Sequence, residues 1–342
     1  MMSNKAKWGM FTLMWAFIIL SPLIHAQEKA PTQIDFVELS KRITALQQQY
    51  HYNPAELNSA EFKQIQNKVH KLAEQSSDLE TFISEFNHLW QSGPFSHVRL
   101  APAQTDAKSL AAYLDKMKAG KDAVQLSWPQ ADTALLLINT MMGVDTIENI
   151  HQAFIEINQH KPANLIVDLR NNHGGAFAVK PLVEHLTEKK LDVGVFVSQL
   201  WFTKHSQPPQ KQDIAQVTSW NGWSIQRFWQ DVQASPFTRV QMQPTTPHYS
   251  GKVYLLTSKQ TASAAEMAAD ALSQLENVTI VGETTAGEML SQTIFDLPHQ
   301  LHLFIPVADY YSAVNGRIEG KGVKPDVQMK ANQALQYALN NS

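Results

Sequence analysis

The sequence predicts an α/β protein: an α/β core preceded by a small bundle of helices. Three observations carry this. Six short runs rich in Val, Ile and Leu, "TALLLIN", "ANLIVDL", "DVGVFV", "KVYLLT", "VTIVGE" and "LHLFIPV", recur between residues 133 and 307. Apolar runs of that length without polar alternation are the pattern of buried strands. Helical patterns lie between several of them, "IENIHQAFIEINQH", "AVKPLVEHLTEK" and residues 263–275, and such alternation argues for an α/β core. Residues 35–92, by contrast, carry helical stripes and few strand signals.

In chain order, the first helix is "FVELSKRITALQQQY", with Phe36, Leu39, Ile43 and Leu46 on one stripe. The second runs from Ser59, a good N-cap, and places Phe62, Ile65, Val69 and Leu72 together. The third, "DLETFISEFNHLWQ", aligns Leu79, Phe82, Phe86 and Leu89 and stops at Gly93 and Pro94. Residues 198–250 fit the core poorly. They hold Trp201, Trp220, Trp223 and Trp229 among many Gln and Pro, and read as an excursion: a lid or cleft wall, aromatic anchors of a long loop, or a carbohydrate platform. The expected organisation is a leader (1–26), an N-terminal helical domain (27–100), a connecting segment (101–132), the core (133–330) and a C-terminal tail (331–342).

The start of the chain sets an expectation of export. Lys5 and Lys7 precede the apolar run "WGMFTLMWAFIILSPLI", which ends near the small residue Ala26. This is the layout of a secretory signal peptide cleaved after Ala26, for a periplasmic or secreted protein. The run is short for a membrane span and is broken by Pro22, so no stable membrane insertion is expected after cleavage. The chain lacks cysteine, so an exported protein relies on its core instead of disulfides. The net charge is −3 and no long basic run follows Lys7, which argues against nucleic acid as a partner. His299 and His302 flank a strand-like stretch without a metal-binding pattern, and no metal or other cofactor is expected.

Four stretches can carry chemistry. In "TASAAEMAADAL" Ser263 is a helix start, with Glu266 three residues on completing a capping box, or a nucleophile at a helix N-terminus. A serine hydroxyl needs a base to take its proton. "VDLRNNHGG" runs from a buried strand into Gly174 and Gly175, whose backbone allows close approach of a ligand. "GPFSHVRL" places His97 between a Gly–Pro break and a short apolar run, and "NGRIEGKGVKPD" holds Glu319 in a Gly-rich loop.

In this order these pieces resemble the S41 family of serine peptidases, the tail-specific and tricorn-core peptidases. The matching stretches are "FSHVRL", "LIVDLRNNHGG", "LLTSKQTASAAEMAADAL", "VGETTAG" and "EGKGVKPDV", which together cover most of residues 93–330. The resemblance implies a ClpP/crotonase-like α/β core and a peptide or unfolded protein as substrate. It also separates two branches. The C-terminal processing branch uses a Ser–Lys dyad, but Glu288 stands at the lysine position here. A carboxylate does not replace an amine base whose pKa burial has lowered. The tricorn-like branch implies Ser263 as nucleophile, His97 as general base, and Ser96 and Glu319 orienting the imidazole. Its oxyanion hole would use the N–H of Ala264 and one from Gly174 or Gly175. Ser96 can take part only if the backbone turns there, because consecutive strand residues face opposite ways. The stretch between Leu100 and Thr133 is too short for the PDZ domain of many members. A non-catalytic or esterase-like member binding a hydrophobic ligand is the alternative.

Overall fold

The computed structural model describes residues 34–342, so the leader pattern of residues 1–26 lies outside the described residues. The three stripes form α1 (Phe36–Tyr50), α2 (Ala60–Gln75) and α3 (Leu79–Gln91). Each starts where a side chain accepts an otherwise orphaned N–H: Asp35 from Glu38, Ser59 from Phe62, Asp78 from Thr81. Their apolar faces meet, with Phe36 and Phe82 rings 5.2 Å apart and both side chains buried. Residues 101–132 complete β1 (Arg99–Pro102) and form α4 (Ala107–Leu114) and β2 (Val124–Gln130); no PDZ domain is folded there.

The core follows as β3 (Thr133–Ile138), α5 (Val144–His160), β4 (Asn164–Asp168), α6 (Val179–Glu184) and β5 (Leu191–Ser198). The excursion holds α7 (Gln199–Phe202), α8 (Lys211–Ile214), α9 (Ile225–Ala234) and β6 (Phe237–Met242). Then come β7 (Lys252–Thr257), α10 (Ala264–Leu272), β8 (Val278–Gly282), β9 (Ser291–Leu297) and β10 (Leu301–Ser312). The short strands β11 (Gly316–Arg317) and β12 (Val327–Gln328) precede α11 (Ala331–Asn340). The stretch expected as a tail is therefore largely helical, and Ala334 and Ala338 of α11 are buried against the sheet.

One sheet has the order β12-β8-β7-β4-β3-β2 and is parallel except for β2. Its central strands are covered on both faces, which is why they read as unbroken apolar runs. Leu165, Val167, Val253 and Leu255 meet α5, α6 and α10, whereas Ile166, Tyr254 and Leu256 face α11. The second sheet is antiparallel, β1-β10-β5-β6, with β9 and β11 also paired to β10. The helical bundle packs on this second sheet, α1 against β10 and α3 against β1. Asn87 of α3 exchanges two hydrogen bonds with the Leu100 backbone, at 2.9 and 2.8 Å, and so anchors β1. Because β3, β4 and β7 are parallel neighbours, the loops after their carboxyl ends lie together, the usual place for a site in such sheets.

Candidate active site

The turn that carries Ser263 is built by hydrogen bonds between the loops after β4 and β7. Thr261 Oγ1 donates to Leu169 O (2.9 Å) and Ala262 N donates to Asn172 O (3.1 Å). Held this way, Ser263 adopts φ +54°, a left-handed value rare for a residue with a Cβ, immediately before α10 begins. Strain at one residue of an otherwise buried segment is the physics of a nucleophile elbow: it lifts the hydroxyl out of the helix line. Ser263 is the accessible residue in a stretch whose neighbours, Thr261 to Leu272, are otherwise buried.

Glu266 does more than serve the helix. Fully buried, its carboxylate accepts from Ser263 N (3.1 Å), Thr285 Oγ1 (2.5 Å), Gly287 N (2.7 Å) and Glu288 N (2.8 Å). It thus ties the serine turn to the loop in which the other branch carries its lysine. Burial pushes the carboxyl pKa up, and the four donors oppose that shift. Glu288 itself contributes its backbone, accepting from Ser263 N at 3.0 Å, while the residue as a whole is exposed.

The two glycines differ. Gly174 N donates to Asn172 Oδ1 (2.8 Å), and Gly174 O accepts from Met141 N (2.9 Å). Its N–H is therefore engaged. A Cβ at Gly174, where φ is +90°, would lie 2.6 Å from Ala262 O and 2.7 Å from Ser263 Cβ, so this glycine is required for the loop and the Ser263 turn to touch. Gly175 and Ala264 have N–H groups with no acceptor among the described residues. Asn172 went unnoticed in the sequence; its position two residues before a glycine is the signal of an Asx turn. It is buried, and its Nδ2 donates to Ile138 O (2.9 Å), linking the ends of β3 and β4.

On the opposite wall, His97 has φ +65°. This is the backbone turn that Ser96 needed: the two adjacent side chains meet, Ser96 Oγ lying 2.5 Å from His97 Nδ1. Ser96 Oγ donates its one proton to Glu319 Oε2 (3.1 Å). It must therefore accept from His97 Nδ1–H, which fixes the tautomer and leaves Nε2 as the basic nitrogen. Glu319, buried after β11, also accepts from Ser96 N (2.8 Å) and Met289 N (2.7 Å). Burial raises its pKa, and these donors counter the rise. Burial, with a smaller contribution from the Arg99 cation, lowers the His97 pKa to about 4, so the imidazole is neutral at neutral pH.

Ser263, His97, Gly174, Gly175 and Ala264 line one cavity of about 450 Å³. The excursion supplies part of its wall, through Trp220, Ile225, Phe228 and Trp229. Trp220 stacks on Phe177 (centroids 5.5 Å apart), two residues past Gly175, and meets Phe228 edge-on at 5.1 Å. Of the four tryptophans of the excursion, Trp220 and Trp229 line the cavity, whereas Trp201 packs on His205 and Phe237 and Trp223 is exposed. Among the described residues no group of His, Asp or Glu is arranged to hold a metal ion, and no helix is long and apolar enough to cross a membrane.

The family model of peptidase family S41 matches residues 132–329, more than half of the chain. A chloroplastic C-terminal processing peptidase of Tetradesmus obliquus is 29% identical over 185 residues, 54% of this chain and 32% of that protein. The chain spans about a third of the length of the curated relatives it matches. Among solved structures, a Parabacteroides merdae protein superposes with a TM-score of 0.59 at 15% identity, covering 90% of this chain and 95% of that one. The photosystem II D1 C-terminal processing protease gives 0.52 at 15% identity, covering 87% and 94%. A strained serine before a helix, in the loops of a parallel sheet, lies inside the stretch that the family match covers, and the chain is a member of peptidase family S41.

Proposed function

We propose that the chain is an exported serine peptidase of the Ser–His–Ser–Glu type. The observation that carries this is the hydrogen-bonded series Glu319–Ser96–His97 opening on the same cavity as strained Ser263. His97 Nε2 takes the Ser263 proton as Oγ attacks the substrate carbonyl. The oxyanion is met by the N–H groups of Gly175 and Ala264, the latter at a helix N-terminus where the macrodipole favours negative charge. His97 then protonates the leaving amine, and water resolves the acyl-enzyme by the reverse route. Glu319 acts through Ser96, stabilising the imidazolium without touching substrate. A lysine base has no place in this reading, since Glu288 stands at that position and is exposed. Export rests on the leader pattern of residues 1–26.

Ser263→Ala is expected to abolish hydrolysis of peptide substrates and labelling by a fluorophosphonate, with the thermal unfolding curve nearly unchanged. Peptide hydrolysis persisting in that variant rejects the assignment. Absence of labelling in the unsubstituted protein favours a binding protein of the same fold.

A further inference from the structure

The link between α1 and α2 stands behind both partners of the Ser96–Glu319 contact. On one side, buried His51 packs its ring on Phe95, the residue before Ser96, with centroids 4.2 Å apart. On the other, Tyr52 and Glu56 hold Arg317, two residues before Glu319. Arg317 Nη2 donates to Tyr52 Oη (2.7 Å) and to Glu56 Oε1 (3.2 Å), and Arg317 Nε donates to Asp309 Oδ2 (2.6 Å). Tyr52 Oη in turn donates to Glu56 Oε2, and Tyr52 N donates to Pro306 O of β10 (3.1 Å). None of these groups lines the cavity, so contact with substrate does not account for them. Arg317 belongs to β11, which pairs with β10 through two residues, and Glu319 lies in the turn that follows. So short a ladder fixes a turn poorly by itself, and the clamp on Arg317 supplies the rest.

Charge follows the same geometry. Glu56, Asp309 and Glu319 share Arg317: the guanidinium touches the first two, and its field reaches the third. Burial raises the Glu319 pKa; the donors on Ser96 and Met289 oppose that rise, and so does the Arg317 cation. Burial also pushes the Asp309 carboxyl up against the pull of Arg317, and the Glu319 and Glu56 charges add to the rise. Tyr311 and His51 are the other titratable groups beside the cluster, and both are neutral at neutral pH. We propose that Arg317 is a positioning residue of the hydrolytic centre: clamped by Tyr52, Glu56 and Asp309, it fixes the turn that carries Glu319 and sets a positive charge near that carboxylate. This rests on the Ser–His–Ser–Glu reading above. During attack His97 becomes an imidazolium in a buried site, and an ionised Glu319, acting through Ser96, offsets that charge. A protonated Glu319 could still meet the Ser96 hydroxyl but would bring no negative charge to the site. The helical bundle would then act on the chemistry through Tyr52 and Glu56, without touching substrate.

The test is the rate at which a fluorophosphonate labels Ser263 at saturating probe, measured from pH 5 to pH 9. Removing a nearby cation raises a carboxyl pKa by about 1 or more, and below that pKa this is about a tenfold loss of the ionised form. Arg317→Gln should therefore label about 10-fold more slowly than the unsubstituted protein at pH 5, and within about twofold of it at pH 9. The half-saturating probe concentration should not change, because Arg317 does not line the cavity. Arg317→Lys keeps the charge and should recover most of the rate at pH 5. A merely structural role predicts a deficit of the same size at every pH; that result, or no deficit at pH 5, overturns the proposal. Arg317→Gln leaves Asp309 a buried anion without its partner and could fail to fold for that reason. The same comparison is then made between Asp309→Asn and Asp309→Asn combined with Arg317→Gln, which differ in the cation alone, with the same outcomes expected and excluded. Glu319→Gln separates the two levels. Slow labelling of Glu319→Gln beside a pH-independent deficit in Arg317→Gln refutes this inference alone. Labelling of Glu319→Gln at the unsubstituted rate refutes the Ser–His–Ser–Glu reading and this inference with it.

Discussion

Replacing Gly174 by Ala tests whether the loop after β4 and the nucleophile turn work as one unit. The added Cβ would stand 2.6 Å from Ala262 O, 2.7 Å from Ser263 Cβ and 3.0 Å from Ala264 N. Ordinary contact lies near 3.5 Å, so the turn must retreat by about 0.8 Å. The φ of +90° at this position adds about 1–2 kcal/mol for any residue with a Cβ. Overpacking of a well-filled site adds about 1–3 kcal/mol. The sum, about 2–5 kcal/mol, is readable in a denaturant titration. A misplacement of about 1 Å between nucleophile and oxyanion donors costs about 100-fold in rate. We therefore expect kcat for an activated ester to fall about 100-fold, with slower fluorophosphonate labelling at saturating probe. Full activity together with unchanged stability would refute the reasoning, because one backbone cannot both absorb the methyl group and keep its geometry.

Further outcomes follow from the charges. The His97 pKa, held down to about 4, predicts that kcat/KM stays flat through pH 6.5 and falls only towards pH 4. Arg99→Gln should move that limb upwards, because Arg99 lowers the pKa; a limb centred at 6.5 in the unsubstituted enzyme contradicts the assignment. The same depression acts on stability. Folded His97 and His185 have pKa values of about 4 and His51 about 3, below the unfolded value of 6.5. The unfolded chain takes up protons first, so stability is retained above pH 6.5 and lost as the pH falls through 4, which acid titration by circular dichroism measures. Glu266→Gln turns an amide NH₂ towards backbone donors that now meet a carboxylate. It should cost about 2–3 kcal/mol and lower kcat more than it raises KM; an active, equally stable variant would show that the tie between the two loops is dispensable.

Much of this was legible in the sequence, and the gaps have physical causes. The strands of the parallel sheet announce themselves because helices bury both faces. By contrast β2, at the sheet edge, alternates between exposed and half-buried residues, and β9 pairs on one side only with β10, so neither forms an apolar run. The side chains proposed for the chemistry stand in recognisable stretches, yet their geometry depends on features that residue types do not state. The turn at His97 is a single dihedral angle, and without it Ser96 would face away. Which glycine offers its N–H is decided by the side chain of Asn172. Glu266 reads locally as a capping residue, and its other partners lie 19 to 22 residues further on. Local pattern reports the first kind of information; long-range hydrogen bonding supplies the second.

The contact between Ser96 and Glu319 joins residues 223 positions apart, and the bundle that anchors β1 precedes Ser263 by more than half the described chain. In chain order His97 comes early, Ser263 much later and Glu319 later still. Until the segment that carries Glu319 has folded onto the sheet, the Ser96–His97 pair lacks its carboxylate acceptor. The order of residues thus makes the hydrogen-bonded series a late product of folding: a chain whose helical bundle has already formed still lacks the Glu319 link that closes it.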